Sequence, residues 1–340
     1  MDFVIDFIYV GDGDAIVIWA RKPNEQDIVI FLDGGSAGNG QKIVDHYRTL
    51  IEPHLLPSRS IGFINSHPHT DHINGLIEVV EILGKEMTFA IYNDPVEHIS
   101  SELKNQIKKS YLAKEDADIT HLYESFEKVY RLNQLCDTYN IKRHRALSDE
   151  INISDENITL LSPSKQFYEE KVQQFTNIDF LKRVDLSRKS PTIFDDEITS
   201  PCKIVDEIND ASPENLTSTV LQLTDSNGRK YILTADAGVD SFDDMDENGF
   251  SNENINLVQL PHHGSRRNVS SSWLIRFNPT MYIASAAGNV KHPRKAVINC
   301  VKRNLPNTSV YSTHTSKNTL SYTTNKSVFP LRGWGSATPL

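Results

Sequence analysis

The segment that most constrains this chain lies at residues 65–76, where the sequence is NSHPHTDHINGL. It places His67, His69, Asp71 and His72 within six positions, directly after the apolar run SIGFINS, which is predicted to be a buried strand. His67 and His69 are two residues apart, so an extended loop points both imidazoles to the same side. Four nitrogen and oxygen donors this close together suit one or two divalent metal ions, with zinc as the leading candidate.

Other apolar runs also end in a histidine or an aspartate. Asp33 follows IVIFL, Asp236 follows KYILTA, the pair His262 and His263 follows NINLVQLP, and His292 comes soon after TMYIAS. Any one of these could be an ordinary turn or a structural histidine. Because functional groups collect at strand ends in α/β architectures, we expect all of them to converge on one site.

Composition narrows the classes of protein. The 340 residues include 35 basic and 45 acidic side chains, a net charge of −10, which argues against a general electropositive surface for nucleic acid but not against a local basic patch. The three cysteines, Cys136, Cys202 and Cys300, lie far apart without a CxxC pair, which argues against a disulfide scaffold or a zinc ribbon. No apolar run is long enough to cross a membrane, and we expect a cytoplasmic protein without a membrane partner.

The spacing of apolar residues predicts two strand-rich parts of the chain, separated by a middle part with a helical pattern. Residues 97–214 are charged, poor in glycine and rich in helix formers, so we expect a mostly helical insert there, ending in a polar loop or lid. The rest of 1–340 is predicted to form one domain. The Asp-rich stretch AGVDSFDDMDENGFSNEN at residues 237–254 is expected to be a solvated surface loop.

The motifs also carry a family resemblance. The run from His67 to His72 matches the HxHxDH signature of the metallo-β-lactamase-fold metallohydrolases. Together with VGDGDAIVI, FLDGG, STVLQL, LPHHGS and VKHP, it resembles the subfamily that includes the hydrolase domain of the ComEC/Rec2 DNA-uptake proteins. The resemblance covers about residues 1–95 and 215–325. It implies an α+β fold, namely an αββα four-layer sandwich, with two metal ions held between the edges of its sheets.

The resemblance also implies roles for individual residues. His67 and His69 would bind the first metal ion, Asp71 and His72 the second, and Asp236 both. This sequence lacks the histidine that the wider superfamily has before STVLQL. The resembled subfamily has the same gap, which implies that the HHGS pair would supply the replacement ligand. The whole implied ligand set is His67, His69, Asp71, His72, Asp236, His262, His263 and His292.

Some of these implied roles stay open. Either His262 or His263 would bind the first metal ion and His292 the second, and the choice within the pair is open because neighbours on an extended chain point to opposite sides. Asp33 would orient a ligand imidazole. Asp14 is expected to be structural, and Asp12 stands where the subfamily usually has glutamine.

The implied activity is hydrolysis. Two divalent ions, Zn²⁺ or Mn²⁺, would share a hydroxide that would attack a phosphorus or carbonyl centre, with Asp71 and Asp236 as the expected catalytic carboxylates. Arg266, Arg267 and Lys291 flank the later ligands and are candidate phosphate contacts.

We therefore expect a phosphodiesterase or nuclease with a phosphate-bearing substrate such as DNA. The alternatives are a small-molecule phosphoesterase, a carboxylic ester or lactone hydrolase, and a scaffold without turnover. Residues 97–214 could bind a protein partner or a second copy of the chain.

Overall fold

The computed structural model describes residues 1–340 apart from positions 25, 103, 106–107, 110–116, 155–156, 176–195, 210, 290–291 and 331–337. The strands of the described residues are β1 (Asp2–Phe7), β2 (Ile16–Arg21), β3 (Asp27–Leu32), β4 (Arg59–Ile64), β5 (Phe89–Ile91), β6 (Lys142–His144), β7 (Asn152–Ser154), β8 (Ile158–Ser162), β9 (Val220–Thr224), β10 (Lys230–Leu233), β11 (Ile255–Gln259), β12 (Met281–Ala284), β13 (Ser309–Ser312) and β14 (Leu320–Thr323). The α-helices of this part are α1 (Gly40–Leu50), α2 (Thr70–Leu83), α3 (Pro95–His98), α4 (Ala117–Tyr139), α5 (Lys165–Val172), α6 (Asp196–Thr199), α7 (Pro201–Asp206), α8 (Pro213–Leu216), α9 (Val239–Glu247), α10 (Ser271–Phe277) and α11 (Lys295–Asn304).

The strands form two seven-stranded mixed sheets with the orders β14-β1-β2-β3-β4-β5-β6 and β13-β12-β11-β10-β9-β8-β7. In the first sheet, β14 to β3 pair antiparallel and β3 to β6 pair parallel. The second sheet is built the same way, antiparallel from β7 to β10 and parallel from β10 to β13. Each sheet therefore has a parallel part whose strand ends are available for a site.

The period-two alternation of the strands separates the two faces of each sheet. In β1, Phe3 and Ile5 belong to a buried cluster that also contains Leu221 and Leu257 of the second sheet, whereas Val4 packs on the opposite face. The first cluster is the core between the sheets. Alternating apolar residues on both faces are what a sheet covered on both sides requires.

Helices cover the outer face of each sheet. Residues of α1, α2 and α4 pack on the first sheet, and residues of α7, α9, α10 and α11 pack on the second. The result is the α+β, αββα four-layer sandwich that the family resemblance implied. Within the described part of the chain, every helix is too short or too polar to span a bilayer.

Residues 97–214 contribute more than helices. Besides α4 and α5 they supply β6, which pairs with β5 in the first sheet, and β7 and β8, of which β8 pairs with β9 in the second. The segment thus extends both sheets at the same edge. The expected loop or lid spans residues 185–215, of which 185–195 and 210 lie outside the described residues. Its remainder was not predicted to be helical but contains α6, α7 and the start of α8.

The expectation of a surface loop at 237–254 was wrong, because α9 occupies residues Val239–Glu247. Phe242 and Met245, three positions apart, are buried in the core of the second sheet. Asp244 is buried too, and accepts hydrogen bonds from the hydroxyls of Ser162 and Ser164. The helical spacing of the two apolar residues outweighs the polarity of the aspartates around them.

The cysteines also differ from expectation. Cys202 of α7 and Cys300 of α11 form a disulfide bond across 98 positions of sequence, and Cys136 is buried as a free thiol. The spacing of the cysteines does not reveal this pair, because the two residues meet only after α7 and α11 have packed on the second sheet.

Candidate metal centre

The predicted site residues come together where the parallel strands of both sheets end. Asp33 and the HxHxDH segment follow β3 and β4 of the first sheet, and the later residues follow β10, β11 and β12 of the second. Since the sheets are stacked face to face, these loops meet along one edge of the sandwich.

Asp236 lies at the centre of the cluster and is 1% exposed. Its Oδ2 atom is 3.7 Å from Nε2 of His67 and 3.6 Å from Nε2 of His262. Its Oδ1 atom is 3.3 Å from Nε2 of His72 and 3.9 Å from Nε2 of His263. One carboxylate therefore presents a separate oxygen to each of two histidine pairs.

The imidazoles of the HxHxDH segment are oriented by their Nδ1 atoms. Asp33 accepts hydrogen bonds from Nδ1 of His72 at 2.8 Å and from the Ser66 hydroxyl at 2.5 Å. Because that hydroxyl donates to Asp33, its oxygen accepts from Nδ1 of His67 at 3.0 Å. Both rings consequently donate from Nδ1, so Nε2 is the atom of each ring that faces Asp236 and is placed to bind a metal ion. Burial disfavours a charged His72, but Asp236 and Asp33 raise the pKa of this ring well above its usual range, so a metal ion must displace a proton from it but not from His67.

The His262–His263 pair turns both of its rings into the site. His262 and His263 have φ angles of 47° and 58°, in the left-handed region that such residues seldom adopt. His263 also lies with Nε2 3.6 Å from Oδ2 of Asp71. Neighbours on an extended chain would diverge, and the unusual backbone is what allows both to face Asp236. Strained residues of this kind concentrate at functional sites.

His69 and His292 occupy the borders of the cluster. The ring of His69 is 4.7 Å from that of His67. The ring of His292 stacks on His262 at 5.4 Å and lies 5.7 Å from His263. Both imidazoles thus join the cluster, but neither belongs to the groups of described donor atoms that lie within 4.8 Å of one another.

Charge is unevenly distributed among the buried donors. Burial lowers the pKa of His67 well below its usual range, and His72 and His69 lower it further, so this ring is neutral. Burial opposes ionisation of Asp236, yet the imidazoles of His262, His72 and His263 hold its pKa well below the usual range. Burial also disfavours a charged His263, but Asp236, together with Asp71 and Asp14, raises the pKa of that ring to about 9.

The donor set fits a divalent metal ion. Nε2 of His67, Nε2 of His72 and Oδ1 of Asp236 are buried atoms without a hydrogen-bond partner among the described residues. Leaving such an atom unpaired costs about 1–3 kcal/mol, a penalty that a ligand would remove. Tetrahedral zinc with bonds of about 2.0–2.2 Å holds its ligand atoms about 3.3–3.6 Å apart, close to several of the separations around Asp236.

Solvent reaches the site from one side. The side chain of Asp71 is 36% exposed and that of His262 is 29% exposed, whereas those of His67 and His72 have no exposed surface. A substrate would therefore approach past Asp71 and His262.

The expected phosphate contacts are less clearly placed. Arg266 donates a hydrogen bond from Nη1 to the carbonyl oxygen of Ile204 at 2.9 Å, so part of its guanidinium contacts α7. The backbone N–H of Arg267 donates to the Ser265 hydroxyl at 3.2 Å. Lys291 lies outside the described residues.

Three supporting residues gave no sign in the sequence. Ser66 orients His67, as described above. Asn268 contacts Nδ1 of His262 at 2.9 Å through Oδ1 and donates from Nδ2 to the carbonyl oxygen of Asp236 at 2.8 Å. Gln259 donates to Asp14 at 2.8 Å. Ser66 adjoins His67 in the sequence, whereas Gln259 and Asn268 lie three and five positions from the His262–His263 pair, a proximity that is the only signal the sequence could have offered.

Asp12, the departure from the subfamily pattern, holds the loop that precedes His292. Its two carboxylate oxygens accept from the backbone N–H of Ala287 at 2.9 Å and from the side chain of Asn289 at 2.6 Å. Asn289 in turn accepts from the backbone N–H of His292 at 3.0 Å.

The comparisons with known proteins add little to these observations. No family model matches the chain, and no curated protein matches it. Among solved structures, a long form RNase Z from yeast aligns with 84% of this chain at a TM-score of 0.39 and 11% sequence identity. The chain spans only 36% of the length of that protein. The class is therefore defined by the molecule itself, as an αββα sandwich whose sheet edges hold a histidine and aspartate cluster that fits divalent metal.

Proposed function

We propose that this protein is a dinuclear metal-dependent hydrolase that cleaves phosphodiesters, with nucleic acid such as DNA as the substrate class. The observation that carries the proposal is Asp236, whose two oxygens each face a separate pair of imidazoles. The HxHxDH, HHGS and VKHP motifs support the same interpretation. Zn²⁺ suits the nitrogen-rich donor set, and Mn²⁺ is the second candidate.

In the proposed site each metal position has its own residues. His67 and His262 face Oδ2 of Asp236, with His69 at the border, and form the first position. The second position is formed by Asp71, His72 and His263, whose donor atoms lie within 4.8 Å of one another. This arrangement divides the HHGS pair between the two positions and leaves His292 at the border, beside both histidines of that pair.

The chain's own residues prepare the site for hydrolysis. Two divalent ions held there would supply a water of lowered pKa and would neutralise charge on the phosphate oxygens. Asp33 and Ser66 hold Nδ1 of His72 and His67 as donors, so that Nε2 is the atom of each ring that a metal ion would bind. Asp71 contacts His263 and is partly exposed to solvent. It therefore lies beside the side from which a substrate would enter.

The experiment is a substrate screen with the Zn²⁺- or Mn²⁺-loaded protein. The substrates are linear double-stranded DNA, single-stranded DNA, RNA, a small phosphodiester and a lactone. We expect cleavage of at least one nucleic acid, and loss of turnover in Asp236→Ala. Asp246→Ala is the matched control, because this exposed aspartate pairs with Arg276 on the outer layer of helices, and it should retain wild-type turnover.

The other outcomes are equally informative. Turnover of the small phosphodiester or the lactone alone would replace the nuclease with the corresponding small-molecule hydrolase. A metal-loaded protein that hydrolyses none of these substrates would contradict the proposal and favour a scaffold that binds a partner.

A further inference from the structure

A buried carboxylate lies behind the HHGS pair, where the sequence predicted a structural residue. Asp14 is 1% exposed, and its Oδ1 atom is 3.9 Å from Nδ1 of His263. Its loop touches the HxHxDH segment directly: Gly13 has a φ of +124°, and a Cβ atom there would lie 2.4 Å from the carbonyl oxygen of Asp71. The close contact explains why a glycine precedes Asp14.

Among the described residues, one oxygen of Asp14 and one ring nitrogen of His263 have no hydrogen-bond partner. Oδ2 of Asp14 accepts from Nε2 of Gln259 at 2.8 Å. His72 lies 3.9 Å from the same oxygen, but its Nδ1 proton is already donated to Asp33. Oδ1 of Asp14 and Nδ1 of His263 are both buried and have no hydrogen-bond partner in the described part of the chain.

The orientation of Gln259 is fixed from the other side. Its Oε1 atom accepts from the backbone N–H groups of Thr234 and Ala235 at 3.0 and 3.1 Å. Because backbone amides only donate, the side-chain oxygen must face them and the side-chain nitrogen must face Asp14. Asp14 is therefore held by a donor whose direction the sheet determines, and its second oxygen is left to face His263.

We propose that Asp14 is a positioning residue that accepts a hydrogen bond from Nδ1–H of His263 and so presents Nε2 of that ring to the second metal position. A shift of about 1 Å converts the 3.9 Å separation into a hydrogen bond of ordinary length. This inference rests on the proposed metal-dependent function. In this proposal Asp14 orients His263 in the same way as Asp33 orients His72.

The test uses Asp14→Asn, because this change replaces the carboxylate by an amide of the same size. Gln259 still donates to the new side chain, so the amide oxygen faces Gln259 and the amide NH₂ group faces Nδ1 of His263. That NH₂ group donates, which requires Nδ1 to accept and puts the proton of the neutral ring on Nε2. A merely structural Asp14 would tolerate the change, whereas a positioning Asp14 would lose binding at the second metal position.

The double variant Asp14→Asn/Gln259→Glu exchanges the acid and the amide within the pair. The carboxylate introduced at position 259 still accepts from Thr234 and Ala235, and its other oxygen accepts from the amide NH₂ group introduced at position 14. The oxygen of that amide then faces His263 and again accepts its Nδ1 proton. The net charge of the pair is the same as in the wild type, so a recovery of metal binding in the double variant would support the proposed hydrogen-bond direction.

The measurement is titration of the chelator-treated chain with Zn²⁺ against a competing indicator, with Co²⁺ absorption as a second readout. We expect Asp14→Asn to lower the affinity for one of the two bound ions by about 10–100-fold and to change the Co²⁺ absorption spectrum. The double variant should recover most of the affinity and most of the wild-type spectrum. Wild-type affinity in Asp14→Asn, or a double variant no better than the single one, would overturn the inference. If the wild-type chain binds two ions and Asp14→Asn weakens this binding, but no substrate is hydrolysed, only the proposed function is contradicted. If the wild-type chain binds no ion, both the proposed function and the role of Asp14 are overturned.

Discussion

At the scale of single residues, the candidate site depends on which atom of each side chain carries a proton. Ser66 and Asp33 fix the Nδ1 protons of His67 and His72, and Asp236 remains a carboxylate between them because the neighbouring imidazoles lower its pKa. The neutral His67 and the ionised Asp236 supply lone pairs directly, whereas a histidine that is protonated in the metal-free chain must first lose its proton.

The raised pKa of His263 predicts that metal binding releases protons. In chelator-treated protein, Asp236 and nearby carboxylates overcome the effect of burial and raise the pKa of this ring to about 9, so at pH 7 it is protonated. A metal ion at Nε2 must displace that proton. We therefore expect Zn²⁺ binding to release protons at pH 7, and the apparent affinity to increase as the pH rises toward 9.

Isothermal titration calorimetry in two buffers with different ionisation enthalpies measures this release directly. A binding enthalpy that is independent of the buffer at pH 7 would show that no proton is displaced. It would contradict the contact between His263 and the metal.

The sequence predicts the ligand-type residues better than the residues that support them. His67, His69, Asp71 and His72 form a local motif, and the remaining candidates each follow an apolar run, so both can be found by reading along the chain. The partnership of Asp14 and Gln259 spans 245 positions and exists only because the two sheets stack. No local pattern encodes such a contact.

At the scale of elements, the site depends on how closely the turn after β3 approaches α2. The backbone N–H of Gly34 donates to the carbonyl oxygen of His72 at 2.8 Å, and that of Gly75 donates to Gly35 at 2.9 Å. A Cβ atom on Gly75 would lie 1.9 Å from the carbonyl oxygen of Gly34. These contacts join the turn carrying Asp33 to the helix carrying His72.

Gly75→Ala tests that contact, because helix propensity and the steric contact would change the free energy of unfolding in opposite directions. Alanine favours a helix interior by about 1 kcal/mol over glycine, but here its methyl group would collide with backbone that hydrogen bonds hold in place. We expect the collision to prevail and to lower the free energy of unfolding by about 1–3 kcal/mol or more. Urea denaturation measures the change.

Asn74→Ala, one position earlier in the same helix and only half-buried, is the matched control. Its effect should stay within about 0.5 kcal/mol. If Gly75→Ala proved as stable as this control, the close approach of α2 to the β3 turn would not be a constraint on the fold.

Elements were predictable where one pattern dominates. The alternating apolar runs of β1 to β4 are clear in the sequence, whereas α9 was hidden by its five acidic residues. The short strands β6, β7 and β8 were hidden by a helical and charged context, and they form because β5 and β9 offer open sheet edges. Tertiary pairing, rather than local propensity, determines such strands.

At the scale of the whole molecule, two similarly built sheets each bring the ends of their parallel strands to the same edge. The first sheet supplies the HxHxDH loop and Asp33, and the second supplies Asp236 and the HHGS pair. Neither sheet alone contains the proposed set of ligands, so the site forms only when the sandwich closes. The net charge of −10 argues against a general electropositive surface, so under the proposed function nucleic acid would contact the neighbourhood of this edge.

The most direct test of the account is the number of metal ions held by the intact chain. Native mass spectrometry after addition of Zn²⁺ and removal of the excess should show two ions per chain in the wild type and in Asp246→Ala. Asp236→Ala should lose at least one ion while remaining folded by circular dichroism. A wild-type chain that holds no Zn²⁺, or an Asp236→Ala chain that keeps both ions, would contradict a dinuclear centre bridged by Asp236.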